Sequence, residues 1–248
     1  MSTILHILLA ATLVAVTSVV VGKVLLRWAG LALSALEETV LGGVLGSTCL
    51  AAASFALTFA GLGRRGVFTS VALILIAASA WSLWRTNRRE PAAGVLSKLP
   101  LGWGLFFGTV YAVFGTMYLI VAMAPETSAD GAGFHLGRVS VWLHGFSFRS
   151  APDAPLPDGI ESLFVFASAI GHHSAATLVE WLYLMALPVG MMLYGRRVLL
   201  NGLGQNNFGQ ARAGAVAGML VLLSPIVARV GTIAAPDVAI ACVAFTLF

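Results

Sequence analysis

Two aspartates stand at the ends of apolar segments, where a carboxylate is close to the hydrocarbon of a membrane. Asp130 follows the apolar run Leu101–Ala124 by a few residues, and Asp237 lies between two further apolar runs. Ionisable residues at such positions are costly and are often functional. One carboxylate can act as a base toward an incoming hydroxyl, and two can hold Mg²⁺ or Mn²⁺, which prefer oxygen ligands. We therefore take Asp130 and Asp237 as candidate catalytic residues and as candidate metal ligands.

The composition indicates what must position these acids. Hydrophobic residues make up 59% of the 248 residues and charged residues 10%, whereas soluble domains average about 25% charged residues. The chain therefore lacks the polar residues that a water-facing surface needs. The net charge of +4 does not indicate nucleic-acid binding, because the arginines occur in pairs between apolar segments. We predict a polytopic, all-α transmembrane bundle whose partner is membrane lipid.

The apolar runs set the predicted number of crossings, since about 20 apolar residues span a bilayer core. Gly42 and Gly46 have the small-xxx-small spacing that lets two such helices pack closely. We predict six or seven crossings, from six full runs and a seventh that has begun when the chain ends: Ile4–Val21, Val40–Leu62, Val67–Trp84, Leu101–Ala124, Ala175–Tyr194, Ala211–Val230 and Val238–Phe248.

One apolar segment, Ile160–Gly171, is too short to cross, because its helix would measure only about 18 Å. We predict that it is a short helix lying at the membrane surface or dipping into it, within an external loop. Positive charge supports this topology: with the polar segment Arg85–Lys98 in the cytoplasm, nine of the 14 Lys and Arg residues lie inside. The N-terminus, Asp130 and Asp237 are then on the outer face.

The residues around Asp130 resemble a known family. The run Pro125–Gly137 resembles the first external loop of the GT-C membrane glycosyltransferases, most closely the bacterial branch related to protein O-mannosyltransferases and lipid A aminoarabinose transferases. The residues that match the pattern of this loop are Asp130, Phe134, His135 and Leu136. Further segments resemble the entry to a surface helix, a gly-x-his-ser-ala turn and a second acidic site, in that order: Leu156–Phe164, Gly171–Ala176 and Pro236–Ala239.

This resemblance implies a glycosyltransferase that takes a sugar from a polyprenyl-phosphate donor at the outer face of a bacterial inner membrane. It implies that Asp130 is the base or metal-organising acid and that Asp237 is its partner, with a divalent cation, Mg²⁺ or Mn²⁺, as the cofactor. The predicted residues for binding the substrate or donor are Glu126, Phe134, His135, Glu161 and Glu180. The sugar and the acceptor stay open.

The resemblance covers about Leu101–Phe248 and divides the chain in two. Residues 1–99 are predicted to form three N-terminal crossings and a cytoplasmic loop. Residues 100–248 are predicted to form a GT-C-like catalytic module that is incomplete at its C-terminus. Two alternatives remain: a transporter or channel, which calls for charged residues inside helices, and a non-catalytic membrane fragment.

Overall fold

The computed structural model describes residues 2–86, 99–148, 159–202 and 207–247, and every regular element within them is helical. Most of the predicted cytoplasmic segment Arg85–Lys98 lies outside these residues. A π-helix, Ala129–His135, precedes α5. The α-helices are Ser2–Trp28 (α1), Ala35–Phe59 (α2), Arg65–Thr86 (α3), Leu101–Met123 (α4), Leu136–Gly145 (α5), Glu161–Gly171 (α6), His173–Gly202 (α7), Asn207–Leu223 (α8), Pro225–Val230 (α9) and Asp237–Thr246 (α10).

Within the described ranges, five helices are long and apolar enough to cross a membrane: Thr3–Trp28, Ala35–Phe59, Arg65–Thr86, Leu101–Met123 and His173–Arg197. Large apolar side chains such as Ile74 and Ile120 are exposed on the outer faces of α3 and α4. A helix with an exposed apolar face suits hydrocarbon better than water. The prediction of an all-helical membrane protein is thus confirmed at this level, while the count of six or seven crossings stays a prediction.

The predicted sixth run, Ala211–Val230, is divided in the structure. The helix α8 ends at Leu223, and the short helix α9 begins with Pro225 at its first position. Proline has no backbone N–H to donate and clashes with the preceding turn, so it starts a helix more readily than it continues one. The run therefore bends where the sequence alone predicted one continuous segment.

The first two helices form the most extensive helix pair in the described structure. A methyl group placed on Gly46 would lie 2.7 Å from the carbonyl carbon of Ser18 and closer still to its oxygen. Gly22 and Gly42 approach each other in the same way along the crossing. The small-residue spacing of Gly42 and Gly46 therefore serves the close helix contact that the sequence predicted.

Charged residues join α1, α2 and α7 at one end of the bundle, which we call the Arg197 end. Arg27 at the end of α1 binds Glu38, and Arg197 near the end of α7 donates to Glu37 over 3.0 Å. Ser34 and Glu37 cap the start of α2 reciprocally. The ion pair between Arg197 and Glu37 crosses the predicted boundary at residue 99, so helices from both predicted segments pack on each other.

The short helix α6 has the length that the sequence predicted, but its surroundings differ. Nearly all of its side chains are buried, and it packs against α1, α2, α3, α5 and α7. A helix whose residues are apolar on every side is buried, with its whole surface in contact with other apolar groups. The segment Ile160–Gly171 is thus a short helix that the bundle encloses, and its place at the membrane surface or dipping into it stays a prediction.

Candidate functional site

A single turn of π-helix positions Asp130. Ser128 caps it, because its hydroxyl accepts a hydrogen bond from the Gly131 N–H at 2.9 Å. Residues five apart are linked in a π-helix, so Asp130 and His135 lie one turn apart on the same side. The Nε2 atom of His135 is 3.8 Å from Oδ1 of Asp130. Single π-turns occur frequently at functional sites, and this one brings together two predicted site residues.

The imidazole of His135 is held by a buried carboxylate. Its Nδ1 atom lies 2.6 Å from Oε1 of Glu161, the first residue of α6, whose side chain is 0% exposed. When Nδ1 donates to this carboxylate, Nε2 of the neutral ring is an acceptor that faces Asp130. The Asp130 side chain is 62% exposed. The three residues therefore run from a solvent-facing carboxylate through an oriented imidazole to a buried carboxylate.

A cation that the sequence analysis missed completes this group. Arg138 donates to Oε1 of Glu161 over 3.4 Å, and its guanidinium lies 3.5 Å from the ring centroid of Phe134. Phe134 also meets the His135 ring edge-on. The only sequence signal for Arg138 is its place one turn after His135. We call Asp130, Phe134, His135, Arg138 and Glu161 the Asp130 cluster.

Glu126 connects the Asp130 segment with the Asp237 segment. Its Oε1 accepts from the Ser128 N–H at 2.7 Å, and its Oε2 accepts from the Ala234 N–H at 3.0 Å. The segment that leads into the π-helix and the segment between α9 and α10 are therefore adjacent at one end of the bundle, the Asp130 end. Both oxygens of Glu126 are bound to backbone, so the structure shows a residue that positions loops. Its predicted role in donor binding stays a prediction.

Asp237 is the exposed first residue of α10, and its neighbour is Glu180 of α7. Glu180 is fully buried and accepts from the Ala239 N–H at 3.2 Å. Asp130 faces His135 while Asp237 lies beside Glu180, so the two aspartates have different partners. The structure brings their segments together through Glu126 and leaves cooperation between the two side chains a prediction.

Among the residues that the structure describes, few donor atoms lie near each of the two aspartates. In the part of the chain that the structure describes, no group of three or more His, Cys, Asp or Glu side chains is arranged to hold a metal ion. Asp130 and His135 supply two potential ligands, which is fewer than Mg²⁺ or Mn²⁺ usually takes from protein and substrate together. The cation predicted at Asp130 and Asp237 therefore stays a prediction, and no step below uses it.

An apolar groove is lined in part by the two residues that directly precede Glu161 of the Asp130 cluster. It has a volume of about 690 Å³ and lies between α2 and α10. Each helix contributes residues at the spacing of one helical face, and Gly159 and Ile160 close the groove just before Glu161. Its lining residues are Thr48, Ala51, Ala52, Phe55, Gly159, Ile160, Ile240, Val243, Ala244 and Leu247.

Comparison with protein-family models, with curated proteins and with solved structures found no match to this chain. The resemblance to GT-C enzymes therefore stays a prediction that rests on residues between Pro125 and Ala239.

Proposed function

We propose that this membrane protein transfers a sugar from a polyprenyl-phosphate donor to a hydroxyl acceptor, with the Asp130 cluster as its site. One observation carries the proposal: an exposed carboxylate, Asp130, faces a histidine that buried Glu161 orients. This arrangement suits the removal of a proton from a hydroxyl group. The resemblance of Pro125–Gly137 to the GT-C external loop names the reaction class.

In the proposed reaction, Asp130 takes the proton of the acceptor hydroxyl, directly or with His135. The acceptor oxygen forms a bond to the anomeric carbon of the sugar. The bond from that carbon to the phosphate oxygen breaks, and polyprenyl phosphate leaves with the electron pair. Arg138, whose side chain is 18% exposed, is the cation of the cluster that can meet the negative charge of this leaving group.

The groove between α2 and α10 supports the choice of a lipid-linked donor. Its lining is apolar, and it ends at Ile160, the residue before Glu161. An isoprenoid chain in this groove has its phosphate near the Asp130 cluster and stays in contact with hydrocarbon. We also propose that α8 and α9 form a sixth crossing and that α10 begins a seventh, and that the Asp130 end faces the outside of a bacterial plasma membrane.

The test uses the purified chain in lipid nanodiscs with a panel of labelled polyprenyl-phosphate mannose, glucose and aminoarabinose. Release of labelled sugar from the lipid phase measures transfer to added acceptors or to water. We expect Asp130→Asn and His135→Gln to slow release by about 100-fold or more, the contribution of a positioned acid–base group. His144→Gln is the matched control, because exposed His144 contacts only its own helix, at Ser140, in the described structure.

Glu161→Gln separates positioning from direct chemistry. Because Glu161 is buried and contacts both the His135 imidazole and the Arg138 guanidinium, we expect this variant to lower kcat and to shift its pH profile more than it raises KM. A parallel assay with EDTA tests the predicted cation. Full activity of Asp130→Asn would overturn the proposal. Failure to release sugar from every donor would also overturn it and favour the non-catalytic or transport alternative.

A further inference from the structure

A second acid, Glu180 of α7, is enclosed within the bundle, and no cation pairs with it among the residues that the structure describes. Its side chain is 0% exposed. Oε2 accepts one hydrogen bond, from the Ala239 N–H at 3.2 Å, and Oε1 has no hydrogen-bond partner in the described structure. The titratable groups that face it are Asp237 and Cys242 of α10 and Tyr183 of its own helix. Each of these is acidic, so none offers a compensating positive charge.

An ionised carboxylate in this position is strongly disfavoured. Burying an unpaired charge costs several kcal/mol even after relaxation, and an acid in that position is neutralised instead. The start of α10 contributes one N–H and a favourable dipole, which together offset only part of that cost. Protonation removes the charge. The neutral carboxyl group that remains costs much less to bury than the carboxylate.

We propose that Glu180 holds a proton and is a reversible proton-binding site of this protein, in contact with water at the Asp130 end through Asp237. Asp237 is exposed at the first position of α10, and Ala239, two residues later, donates to Glu180. A proton therefore has a carboxylate at the surface and a carboxyl group directly behind it. Ionisable residues enclosed in membrane bundles serve as proton carriers in this way.

Polar groups continue from Glu180 into the bundle. Tyr183, one turn further along α7, donates to the Ser47 hydroxyl at 2.6 Å. Both side chains line an apolar cavity of about 270 Å³ between α1, α2, α4 and α7. Ser18, whose hydroxyl also has no partner in the described structure, lines the same cavity. The proton site thus adjoins a chamber with hydroxyl groups, which is the feature that favours proton-coupled movement over a purely structural acid.

The experiment is reaction of the purified chain in nanodiscs with the apolar reagent dicyclohexylcarbodiimide. The acid proton of a neutral carboxyl moves to one carbodiimide nitrogen, and the carboxyl oxygen bonds to the central carbon. The product rearranges to a stable N-acylurea, so the whole reagent is added and nothing leaves. Peptide mass spectrometry locates the adduct. We expect one adduct on the α7 peptide, reduced about tenfold or more in Glu180→Gln.

The direction in which labelling of Glu180 changes with pH tests whether the protonated acid is the species that reacts. Only the protonated acid reacts, so labelling of Glu180 should be greatest at low pH and should fall as the pH is raised. Glu38→Gln is the control for loss of a carboxylate, because Glu38 pairs with Arg27 at the Arg197 end and its replacement should leave the Glu180 adduct unchanged. Asp237→Asn should slow labelling by changing access at the surface while leaving the adduct on the same residue.

Two results would overturn the proposal. One is the absence of a Glu180 adduct at every pH in chain that elutes as a single folded species. The other is protection from labelling by Na⁺ or K⁺ at constant pH, which would make the site one for a monovalent cation. Infrared difference spectra give a second measurement that does not need the reagent. The carbonyl band of a protonated carboxyl should be present in the unmodified chain and missing in Glu180→Gln. Sugar transfer is measured separately, so either proposal can fail alone.

Discussion

Replacement of Gly46 by alanine tests the close contact between α1 and α2, the most extensive helix pair in the described structure. The added methyl group would lie 2.7 Å from the Ser18 carbonyl carbon and 2.8 Å from the Gly22 nitrogen. Ordinary van der Waals contact begins at 3.4 Å. Because both opposing atoms belong to backbone, no side chain can rotate away. The methyl group would lie closer still to the Ser18 carbonyl oxygen, so the two helices must separate by more than the difference between 2.7 Å and 3.4 Å, about 0.7 Å.

A separation of this size has a large effect along a tight interface. A gap of 0.5–1 Å forfeits roughly a quarter to a half of each dispersion contact that it opens. Overpacking of an interior typically costs about 1–3 kcal/mol. We expect Gly46→Ala to lie near the upper limit, because α1 and α2 form the most extensive helix pair. Alanine recovers about 0.5–1 kcal/mol through its higher helix propensity.

Gly43→Ala is the matched control. It makes the same chemical change on the same helix, but its methyl group would meet only Val19 Cγ2, at 3.5 Å. Both variants gain the same helix propensity. The difference between their stabilities therefore measures the steric clash at Gly46. We expect Gly46→Ala to be less stable than Gly43→Ala by about 3 kcal/mol, which corresponds to a midpoint lower by about 6–12 °C for a chain of this size.

The assay follows the thiol of Cys242, which is buried in α10, in a Cys49→Ala background that removes the exposed cysteine. A thiol-reactive fluorophore reports exposure of Cys242 as detergent-solubilised protein is heated. Equal midpoints for Gly46→Ala and Gly43→Ala would refute the packing argument. So would a higher midpoint for Gly46→Ala, because helix propensity would then outweigh the contact between the helices.

Two further predictions concern the backbone between α6 and α7 and the orientation of the bundle. His172 has φ 64° and ψ −172°, a region that only glycine occupies readily, so His172→Gly should raise the thermal midpoint by relieving about 1–3 kcal/mol of strain. His173→Gly, within α7, should lower the midpoint, and a lower midpoint for both would show that His172 is unstrained. In a Cys49→Ala background, Gly133→Cys should react with a membrane-impermeant maleimide on intact cells, whereas Leu31→Cys should react only after lysis. The opposite result would reverse the proposed orientation.

The sequence alone determined the helices that could cross a membrane, since that property depends on local composition and length. The predicted run Leu101–Ala124 and the observed helix Leu101–Met123 differ by one residue. The short length of the segment at Ile160–Gly171 was equally visible. Helical backbone satisfies its own hydrogen bonds, so in an apolar segment its formation hardly depends on what surrounds it.

The surroundings of α6 were decided by tertiary structure. Its sequence is apolar on all sides, which is compatible with lying at a membrane boundary or with being enclosed by other helices. Packing against five helices encloses it, and its place relative to the membrane boundary stays a prediction. The same packing placed Glu161 beside His135, 26 residues earlier, and so created the buried carboxylate of the Asp130 cluster.

The polar contacts of the site also depended on packing between distant segments. The sequence nominated Glu126, Asp130 and Glu180 as acids near one end of the bundle. It did not show that Glu126 reaches the Ala234 N–H, 108 residues away, or that one oxygen of Glu180 has no hydrogen-bond partner among the described residues. Hydrogen bonds between side chains and distant backbone follow from how helices cross, and a single sequence carries the helix pattern without the crossing geometry.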